Sequence, residues 1–266
     1  MLDDHATTGA SGFPAGVSRL LVLGKIRRVL DAFSPQRPVL TLNQLRSTTG
    51  LPASTCFRLV QNLVHEGVLE RTGDQYRLGL TIIRWGASAI EARSIVASAS
   101  PILEGLREAT GESAHLVVRD GAFRICVALA NSHHSVVRRL HIGEVVPIHV
   151  GSTGRVFLAF DPDAKAAIAG QELQPITSNT LIDWKALDEA IDHVRHTGYA
   201  VSFEELDPGA VGITAPVFDH GCQMVAALGI SGPTQRMDPE RVDAHAPLVV
   251  AAARTVSKLL GCPEYA

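Results

Sequence analysis

The chain has 266 residues, which is enough for two domains with separate cores, and its composition is that of a globular protein. It contains no stretch of about twenty apolar residues, and it starts without the basic and apolar segments of a signal peptide. These features exclude a secreted or membrane-spanning protein, so we expect a cytoplasmic protein with no membrane partner.

The first segment, 1–17, holds Gly, Ser, Thr and Ala without periodicity, and we predict a disordered tail there. A first helix follows, predicted from apolar residues at helical spacing: Leu23, Ile26, Leu30 and Phe33. Ser34-Pro35 is expected to end this helix, because proline disfavours a helical conformation in the residue before it.

Two short helices joined by a tight turn are predicted next. Thr41 and Gln44 have the spacing of a capping box, in which each side chain bonds the backbone of the other residue at a helix start. Gly50 is typical of a helix end, and Pro52 is typical of a first helical turn. Two strand-like pieces joined by Thr72-Gly73-Asp74-Gln75 follow. The region 18–79 is therefore predicted to be a winged helix-turn-helix.

The second of these helices has an apolar face and a polar face. Its predicted buried stripe is Cys56, Leu59, Val60 and Leu63. Its opposite face carries Ser54, Thr55, Phe57, Arg58 and Gln61. An exposed Phe57 beside Arg58 suits a DNA major groove, because arginine donates to guanine edges and aromatic rings pack on thymine methyls. The alternative is an ordinary surface helix with Phe57 packed against the wing.

The charge of the chain is divided unevenly along its length. Between Arg19 and Arg84 there are ten Arg or Lys against four Asp or Glu, so the remainder is acidic in a chain whose net charge is −3. A basic module of this kind is expected to bind DNA phosphates. We predict base contacts from Arg58 and Gln61. The full predicted DNA-binding set is Lys25, Arg46, Ser54, Thr55, Phe57, Arg58, Gln61 and Arg77.

The segment 80–98 is rich in Ala, Ile and Ser, and it is predicted to form a linking helix. Its apolar content exceeds what one contact face needs, so we expect this segment and the first helix to pair two chains. The segment 99–262 is predicted to be a second domain.

Helices and antiparallel strands are both predicted in the second domain. Its predicted helices run from Ser100-Pro101 to Gly111, over 155–160, over 183–196 with Gly198 closing the helix, and from Asp238-Pro239 to Leu260. Its predicted strands are 113–119, 122–130, 136–141, 201–205, 213–218 and 224–230, with Asp120-Gly121 as the first hairpin turn. An antiparallel sheet with helices packed on it belongs to the α+β class.

Three glycine-rich breaks fall where predicted strands meet helices or turns, at 151–154, 209–212 and 229–232. Backbone N–H groups can converge on a small anion at such places, and a helix starting after Gly154 would add its dipole. The alternative is that these glycines only serve tight turns.

Several motifs, in order along the chain, resemble the IclR family of transcriptional regulators. They are 51–59 (LPASTCFRL), 67–71 (GVLER), 76–79 (YRLG), 109–113 (ATGES), 143–149 (GEVVPIH), 151–155 (GSTGR), 198–202 (GYAVS), 215–219 (APVFD) and 230–233 (ISGP). The resemblance extends from about Leu20 to Leu260, and the ordered set is far more specific than any one motif.

The resemblance implies a winged helix-turn-helix domain that binds double-stranded operator DNA, a linking helix, and a GAF-like α+β effector-binding domain. It implies a homodimer, or a dimer of such dimers, whose two recognition helices read half-sites about one DNA turn apart or a multiple of it. No cofactor, metal or catalytic residue is implied. The residues it assigns to a small carboxylic acid effector are Ser152, Thr153, Gly154, Ser202, Gly212, Ile213 and Ser231.

One departure from the family pattern concerns the size of the effector. Family members that bind small keto acids often have a polar or acidic side chain near Ser202 and a cysteine near Gly212. The smaller residues here predict more room, which favours a larger acid, with aromatic acids among the candidates.

Two other classes of protein are alternatives to a regulator. An enzyme could use Ser152 or Cys126 as a nucleophile, but the sequence has no Gly-x-Ser-x-Gly elbow, phosphate-binding loop or dinucleotide fingerprint. An architectural DNA-binding protein would not need a large acidic domain with glycine breaks. Turnover of metabolites would support the first alternative, and sequence-independent DNA binding the second.

Histidines and cysteines were considered as metal ligands. The histidines of one segment, His133, His134, His141 and His149, have spacings that fit no compact ligand motif, which favours surface or pocket-edge imidazoles. The cysteines, Cys56, Cys126, Cys222 and Cys262, have no close-pair spacing, which predicts core thiols rather than a zinc ribbon or a disulfide framework.

Overall fold

A computed structural model of the chain describes residues 20–91, 94–136 and 140–265. The predicted tail, 1–17, lies outside these residues. The described residues form two compact units, 20–91 and 94–265. Among the described residues, no helix has the length and apolar character needed to cross a membrane.

The first unit is a winged helix-turn-helix, as predicted. Its three strands form an antiparallel sheet in the order β1-β3-β2. Its elements are α1 (Leu21–Asp31), β1 (Val39–Thr41), α2 (Leu42–Thr49), α3 (Ala53–His65), β2 (Leu69–Thr72), β3 (Gln75–Leu78) and α4 (Leu80–Glu91).

Local sequence signals determine the ends of α2 and α3. Gln44 N donates to Thr41 Oγ1 at 3.3 Å and Thr41 N donates to Gln44 Oε1 at 2.8 Å, which confirms the capping box. Gly50 ends α2 with a φ of 64°, a conformation that glycine adopts without strain. Pro52 takes the N-cap position with a ψ of 141°, so it precedes the first turn of α3 rather than lying in it.

The core of the first unit confirms most of the predicted apolar faces. Cys56, Val60 and Leu63 of α3 are buried, and Leu59 packs partly against them. Leu23 of α1 is 59% exposed, so its predicted burial is wrong. Val29 is the fully buried residue of this helix, and Ile26, Leu30 and Phe33 pack in the same core, so the predicted face fails only at Leu23.

The second unit is an α+β domain, as predicted. Its six strands form one antiparallel sheet in the order β6-β5-β4-β9-β8-β7. Its helices are α5 (Ser94–Thr110), α6 (Gly151–Phe160), α7 (Pro162–Ile168), α8 (Trp184–Thr197) and α9 (Pro239–Leu259), with a 3-10 turn at Pro263–Tyr265. Its strands are β4 (Ser113–Asp120), β5 (Phe123–Ala130), β6 (Val145–Pro147), β7 (Ala200–Phe203), β8 (Ala210–Phe218) and β9 (Met224–Pro233).

Helices cover both faces of this sheet. Alternate residues of β4 and β9, such as Leu116 and Leu228, pack with α5 and α9 in one apolar cluster. The residues between them, such as Val117 and Ala227, pack with α6, α7 and α8 in a second cluster. This alternation is the period of two that a pleated strand imposes.

Two predicted helix starts in the second unit are wrong. Helix α5 already includes Ser94, the first described residue after 91, so Pro101 lies inside the helix rather than at its first turn. Burial of Ala99, with Ile95 and Val96 packed beside it, offsets the backbone hydrogen bond that proline removes. Helix α6 begins at Gly151, four residues before the predicted 155–160.

The predicted strand 136–141 is not found at its described ends. Residues 133–136 form bends, residues 140 and 141 belong to no strand, and 137–139 lie outside the described residues. The short edge strand β6 occupies the place next to β5 instead. Helix α7, which Asp161 caps by accepting from Asp163 N, was not predicted. Helix α9 starts at its predicted cap, Asp238, and Asp183, the first residue of the predicted helix 183–196, is the cap of α8.

Candidate functional site

The predicted DNA-reading face of α3 is open to solvent. Phe57 is 50% exposed, and Ser54 and Arg58 are exposed beside it. Thr55 and Gln61 are half-buried. This helix therefore presents an aromatic ring and a guanidinium on one accessible surface.

The wing contacts one of the predicted base-reading side chains. Gln61 Nε2 lies 3.3 Å from the hydroxyl of Tyr76 on β3, so this amide is held by the wing strand. Tyr76 is itself buried, and the Arg71 guanidinium lies 5.8 Å from the centre of its ring. Arg71 also donates to the Gly73 carbonyl at the wing tip, at 2.7 Å. Arg71 is a cation beside the wing turn that is absent from the predicted DNA-binding set.

The predicted phosphate contacts differ in their surroundings. Arg46 is exposed, and Lys25 is half-buried. Arg77 Nη2 lies 2.7 Å from Glu70 Oε2, and Glu70 Oε1 accepts from Leu80 N at 3.3 Å. The hydrogen bond from Arg77 is the main reason that the pKa of Glu70 is lowered. Arg77 therefore has an intramolecular partner with which a phosphate must compete.

The second unit has a pocket where the start of α6 meets the sheet. Including the solvent at its mouth, its volume is about 580 Å³. Its floor comes from four strands, β4, β5, β8 and β9, and its sides come from β6, β7 and the segment 205–207. Five of the seven predicted effector residues line it: Ser152, Thr153, Ser202, Gly212 and Ser231.

Strand register explains why three of these residues meet. Ser202 on β7 pairs with Gly212 on β8, and Gly212 pairs with Ser231 on β9. Directly paired residues share one face of a sheet, so these three residues form a row across three strands. The helix start, with Ser152 and Thr153, lies over this row.

The other two predicted effector residues do not line the pocket. Ile213 is fully buried in the apolar cluster on the opposite face of the sheet. Gly154 packs against backbone, since a Cβ added there would lie 1.9 Å from the Ile148 carbonyl oxygen. We therefore interpret Gly154 as a residue that lets α6 approach the preceding segment.

The room predicted beside Gly212 is occupied by hydroxyl groups. A Cβ at Gly212 would lie 2.9 Å from Ser152 Oγ and 3.4 Å from Ser202 Oγ. Ser152 Oγ also lies 3.0 Å from Thr214 Oγ1, which in turn lies 3.1 Å from Thr153 Oγ1. Because Gly212 has no side chain, the hydroxyl groups of Ser152 and Ser202 fit beside it.

Ser231 differs from the other pocket serines. Its side chain is buried, at 5% exposure, and its hydroxyl makes no hydrogen bond with any of the described residues. A buried hydroxyl without a partner costs about 1 to 3 kcal/mol. Ser231 is therefore the pocket group with the clearest unused capacity for a ligand.

A buried ion pair lies beside the start of α6. Arg155 Nη1 lies 2.7 Å from both carboxylate oxygens of Glu205, and Arg155 also donates to the Val201 carbonyl. Glu205 Oε2 accepts from Gly151 N at 3.2 Å. The two charges compensate each other, and the carboxylate occupies part of the helix start where an anion is favoured.

Arg124 brings a buried cation into the pocket. It is 7% exposed, and its Nη2 donates to the Val150 carbonyl at 3.1 Å, just before α6. Neither Arg124 nor Glu205 was predicted. No sign of Arg124 was available in the sequence, because the large apolar residues of this strand, Phe123, Ile125, Val127 and Leu129, alternate with it.

The histidines and cysteines do not assemble as metal ligands within the described parts of the chain, where no three His, Cys, Asp or Glu residues are suitably arranged. His149 Nε2 lies 3.0 Å from the Gln174 carbonyl oxygen, and burial is the main cause that lowers its pKa. Cys222 is exposed, so its prediction as a core thiol is wrong. Its sulfur lies 3.7 Å from that of Cys262.

Two family models match this chain. Residues 22–73 match the IclR helix-turn-helix domain, and residues 87–258 match the bacterial transcriptional regulator IclR C-terminal domain. The chain is 32% identical over 228 residues to the HTH-type transcriptional regulator KipR of Bacillus subtilis, which covers 85% of this chain and 91% of KipR.

Solved structures agree with these matches. The IclR transcriptional regulator from Alicyclobacillus acidocaldarius has a TM-score of 0.80 and 25% identity, over 92% of this chain and 100% of its own. An IclR homolog from Microbacterium hydrocarbonoxydans, complexed with 4-hydroxybenzoate, has a TM-score of 0.75 over 90% of this chain and 98% of its own. At 24% identity, the second likeness shows the fold alone. The chain therefore belongs to the IclR family, and it is a DNA-binding transcriptional regulator rather than an enzyme.

Proposed function

We propose that this regulator binds operator DNA as a homodimer, and that a small carboxylic acid in the α6 pocket changes its affinity for that DNA. The observation that carries the effector proposal is the buried hydroxyl of Ser231. A ligand oxygen at this place would give that hydroxyl the partner that it lacks among the described residues.

The pocket holds cationic and N–H donors that support an acid, together with carboxylates of its own at Glu144, Glu205 and Asp207. Arg124 contributes a guanidinium, and a guanidinium can donate twice to one carboxylate. The charge of Glu205 is compensated by Arg155, at 2.7 Å. The first-turn backbone of Ser152 and Thr153 adds the positive end of the α6 dipole. A carboxylate between Arg124 and Ser152, with a polar group reaching Ser231, would use these donors together.

The shape of the pocket bears on the choice of acid. Hydroxyl groups of Ser152 and Ser202 occupy the space beside Gly212, which favours a short oxygen-rich acid at that end. The 4-hydroxybenzoate of the Microbacterium protein is the reason to test aromatic acids as well. Both classes therefore belong in a first panel of ligands.

In the DNA-binding unit, we assign base contacts to Arg58 and Phe57, because both are exposed on the same helix. Ser54 and Thr55 lie at the start of this helix and are suited to phosphate or base contacts. Gln61 reads bases only if it leaves Tyr76, and Arg77 reaches a phosphate only if it leaves Glu70. Arg46 and Lys25 complete the phosphate contacts.

Exposed apolar side chains support the homodimer. They lie on α1 and α4 and in the residue before α1, and they are Leu20, Leu21, Val22, Leu23, Leu80, Ile83 and Trp85. An exposed group of large apolar side chains is typical of an interface when its members lie together on the surface. A second copy of the chain would cover it and would supply the second recognition helix.

Fluorescence anisotropy on labelled DNA from upstream of the protein's own gene tests the proposal. At least one acid of the panel is expected to change the DNA affinity of the full chain roughly 5- to 150-fold, the usual range of coupling between two sites. The same acid should bind the Ser231→Ala variant more weakly in calorimetry. A matched control is Ser257→Ala, since Ser257 is a buried serine that bonds Ala253 and Phe218 away from the pocket. Equal acid binding by wild type and Ser231→Ala would contradict the assigned site.

A further inference from the structure

Two cysteines far apart in the sequence meet at one end of the sheet of the second unit. Cys222 lies in the turn between β8 and β9, and Cys262 follows the end of α9. Their sulfur atoms are 3.7 Å apart, and neither residue lies in the effector pocket. Effector binding and DNA binding leave this pair without a role.

We propose that Cys222 and Cys262 are a reversible modification site, at which a hydroperoxide converts the two thiols into an intrachain disulfide. The bond would join the β8–β9 turn to the end of α9. It makes this regulator responsive to oxidants at a place separate from its effector pocket.

The geometry brings the pair close to a bond. A disulfide has an S–S distance of about 2.05 Å, so the sulfur atoms have less than 2 Å to close. The turn residues Gly221, Cys222 and Gln223 are exposed, which allows them to adjust without disturbing the core. Cys262 is held in place, because its N–H donates to the Ser257 carbonyl at 3.0 Å.

The two thiols differ in exposure, and so they act in different steps of the oxidation. Cys222 is exposed and can meet an oxidant, whereas Cys262 is only 1% exposed. The Cys222 thiolate attacks one oxygen of the hydroperoxide, which forms a sulfenic acid and releases hydroxide or alkoxide. Cys262 then attacks the Cys222 sulfur, the S–O bond breaks, and the hydroxyl group leaves as water with the Cys262 proton. Two thiols are oxidised, and one peroxide O–O bond is reduced.

The surroundings of Cys222 set the speed of the first step. Its pKa is raised, first by the hydrogen bond with Cys262 and also by the carboxylate of Glu264. The thiolate is the reactive form, so a raised pKa slows oxidation at neutral pH. We therefore expect the pair to respond to sustained rather than brief exposure to peroxide.

Formation of the bond would stabilise the packing of α9 on the sheet. It would close a loop of about 40 residues that contains β9 and α9, and closing a loop restricts the unfolded chain. For a domain of this size, we expect the melting temperature to rise by about 5 °C or more. The rise should vanish on reduction.

Peptide mapping of the full-length protein tests the proposal. Trypsin places Cys222 in the peptide 196–236 and Cys262 in the peptide 259–266. After treatment with hydrogen peroxide at pH 8, these peptides should appear as one linked species, two hydrogens lighter than their sum. Dithiothreitol should separate them and reverse the shift in melting temperature.

Single variants separate this result from general oxidation. In Cys262→Ser, Cys222 should stop at the sulfenic acid and react with dimedone, and the melting temperature should not rise. In Cys222→Ser, the buried Cys262 should remain a thiol under the same conditions. Recovery of both cysteines as alkylated thiols from oxidised wild type would overturn the proposal. So would a linked peptide that joins two chains in a mixture of heavy- and light-isotope protein.

Discussion

The carboxylate of Glu205 lies 3.2 Å from the backbone nitrogen of Gly151, at the start of α6. The protein thus places an anion of its own at the helix end that faces the pocket, and Arg155 compensates its charge. An effector acid must bind beside this carboxylate. Because Glu205 already occupies part of the helix start, the proposed acid depends on donors from Arg124 and Ser231.

Glu205→Ala should destabilise the second unit by about 3 to 5 kcal/mol, because it leaves the buried Arg155 guanidinium without its partner. Chemical denaturation, monitored by fluorescence, measures this change in the free energy of unfolding. The matched control is Glu189→Ala, whose exposed contact with Lys185 spans 3.9 Å, and it should change stability by less than about 0.5 kcal/mol. Similar effects of both substitutions would show that the buried pair has no special role.

Ser231→Ala should keep or slightly raise the free energy of unfolding, since the hydroxyl it removes has no hydrogen-bond partner among the described residues. Ser257→Ala should lower it by about 1 kcal/mol or more, because Ser257 Oγ bonds both Ala253 and Phe218. Thermal unfolding distinguishes the two variants. A large loss of stability in Ser231→Ala would mean that its hydroxyl supports the fold and is not reserved for a ligand.

Arg58→Ala should weaken operator binding by about 1 to 3 kcal/mol and relax the preference at one base pair. Arg77→Ala should weaken binding to all sequences alike and reduce its salt dependence. Anisotropy with an operator library at several salt concentrations measures both effects. Equal, sequence-independent losses from the two substitutions would contradict this division.

Glu70→Gln should strengthen DNA binding roughly threefold, because it removes the carboxylate that competes with phosphate for Arg77. The gain should be larger at low salt and should disappear in the variant that also carries Arg77→Ala. An unchanged affinity in Glu70→Gln would indicate that Arg77 does not reach the DNA.

Because His149 and His245 are buried, we expect the free energy of unfolding to fall in acid. Burial is the main cause that lowers the pKa values of His149 and His245 below 6.5. The unfolded chain then binds more protons than the folded one below about pH 7, so the free energy of unfolding should fall as the pH drops from 7 toward 5. His149→Asn should flatten this dependence in denaturant titrations at each pH. An unchanged pH dependence in that variant would exclude His149 as a cause.

Local signals made several elements predictable from the sequence. The capping box at Thr41 and Gln44, the cap at Asp238 and the glycine at 198 each act within a few residues, so their outcome depends little on the rest of the chain. The glycines at 151–154 were interpreted as a break before a helix. Gly151 does have a φ of 72°, but the helix starts there and not after Gly154.

The parts that could not be predicted depend on distant residues. Arg155 and Glu205 are fifty positions apart, and only the fold brings them together. Cys222 and Cys262 meet for the same reason, although their spacing argued against a pair. Ile213 neighbours Gly212 in the sequence but faces the other side of the sheet, because adjacent residues of a strand alternate.

Reciprocal linkage is the most direct measurement of the central claim, that an acid in the α6 pocket controls DNA affinity. Calorimetry gives the affinity of the acid for free protein and for protein saturated with operator DNA, and anisotropy gives the DNA affinity with and without the acid. If both ligands act on one equilibrium, the ratio of the two acid affinities must equal the ratio of the two DNA affinities. We predict equal ratios of at least about fivefold in wild type, and weaker acid binding in Ser231→Ala. An acid that binds wild type with the same affinity whether or not DNA is bound would contradict the account.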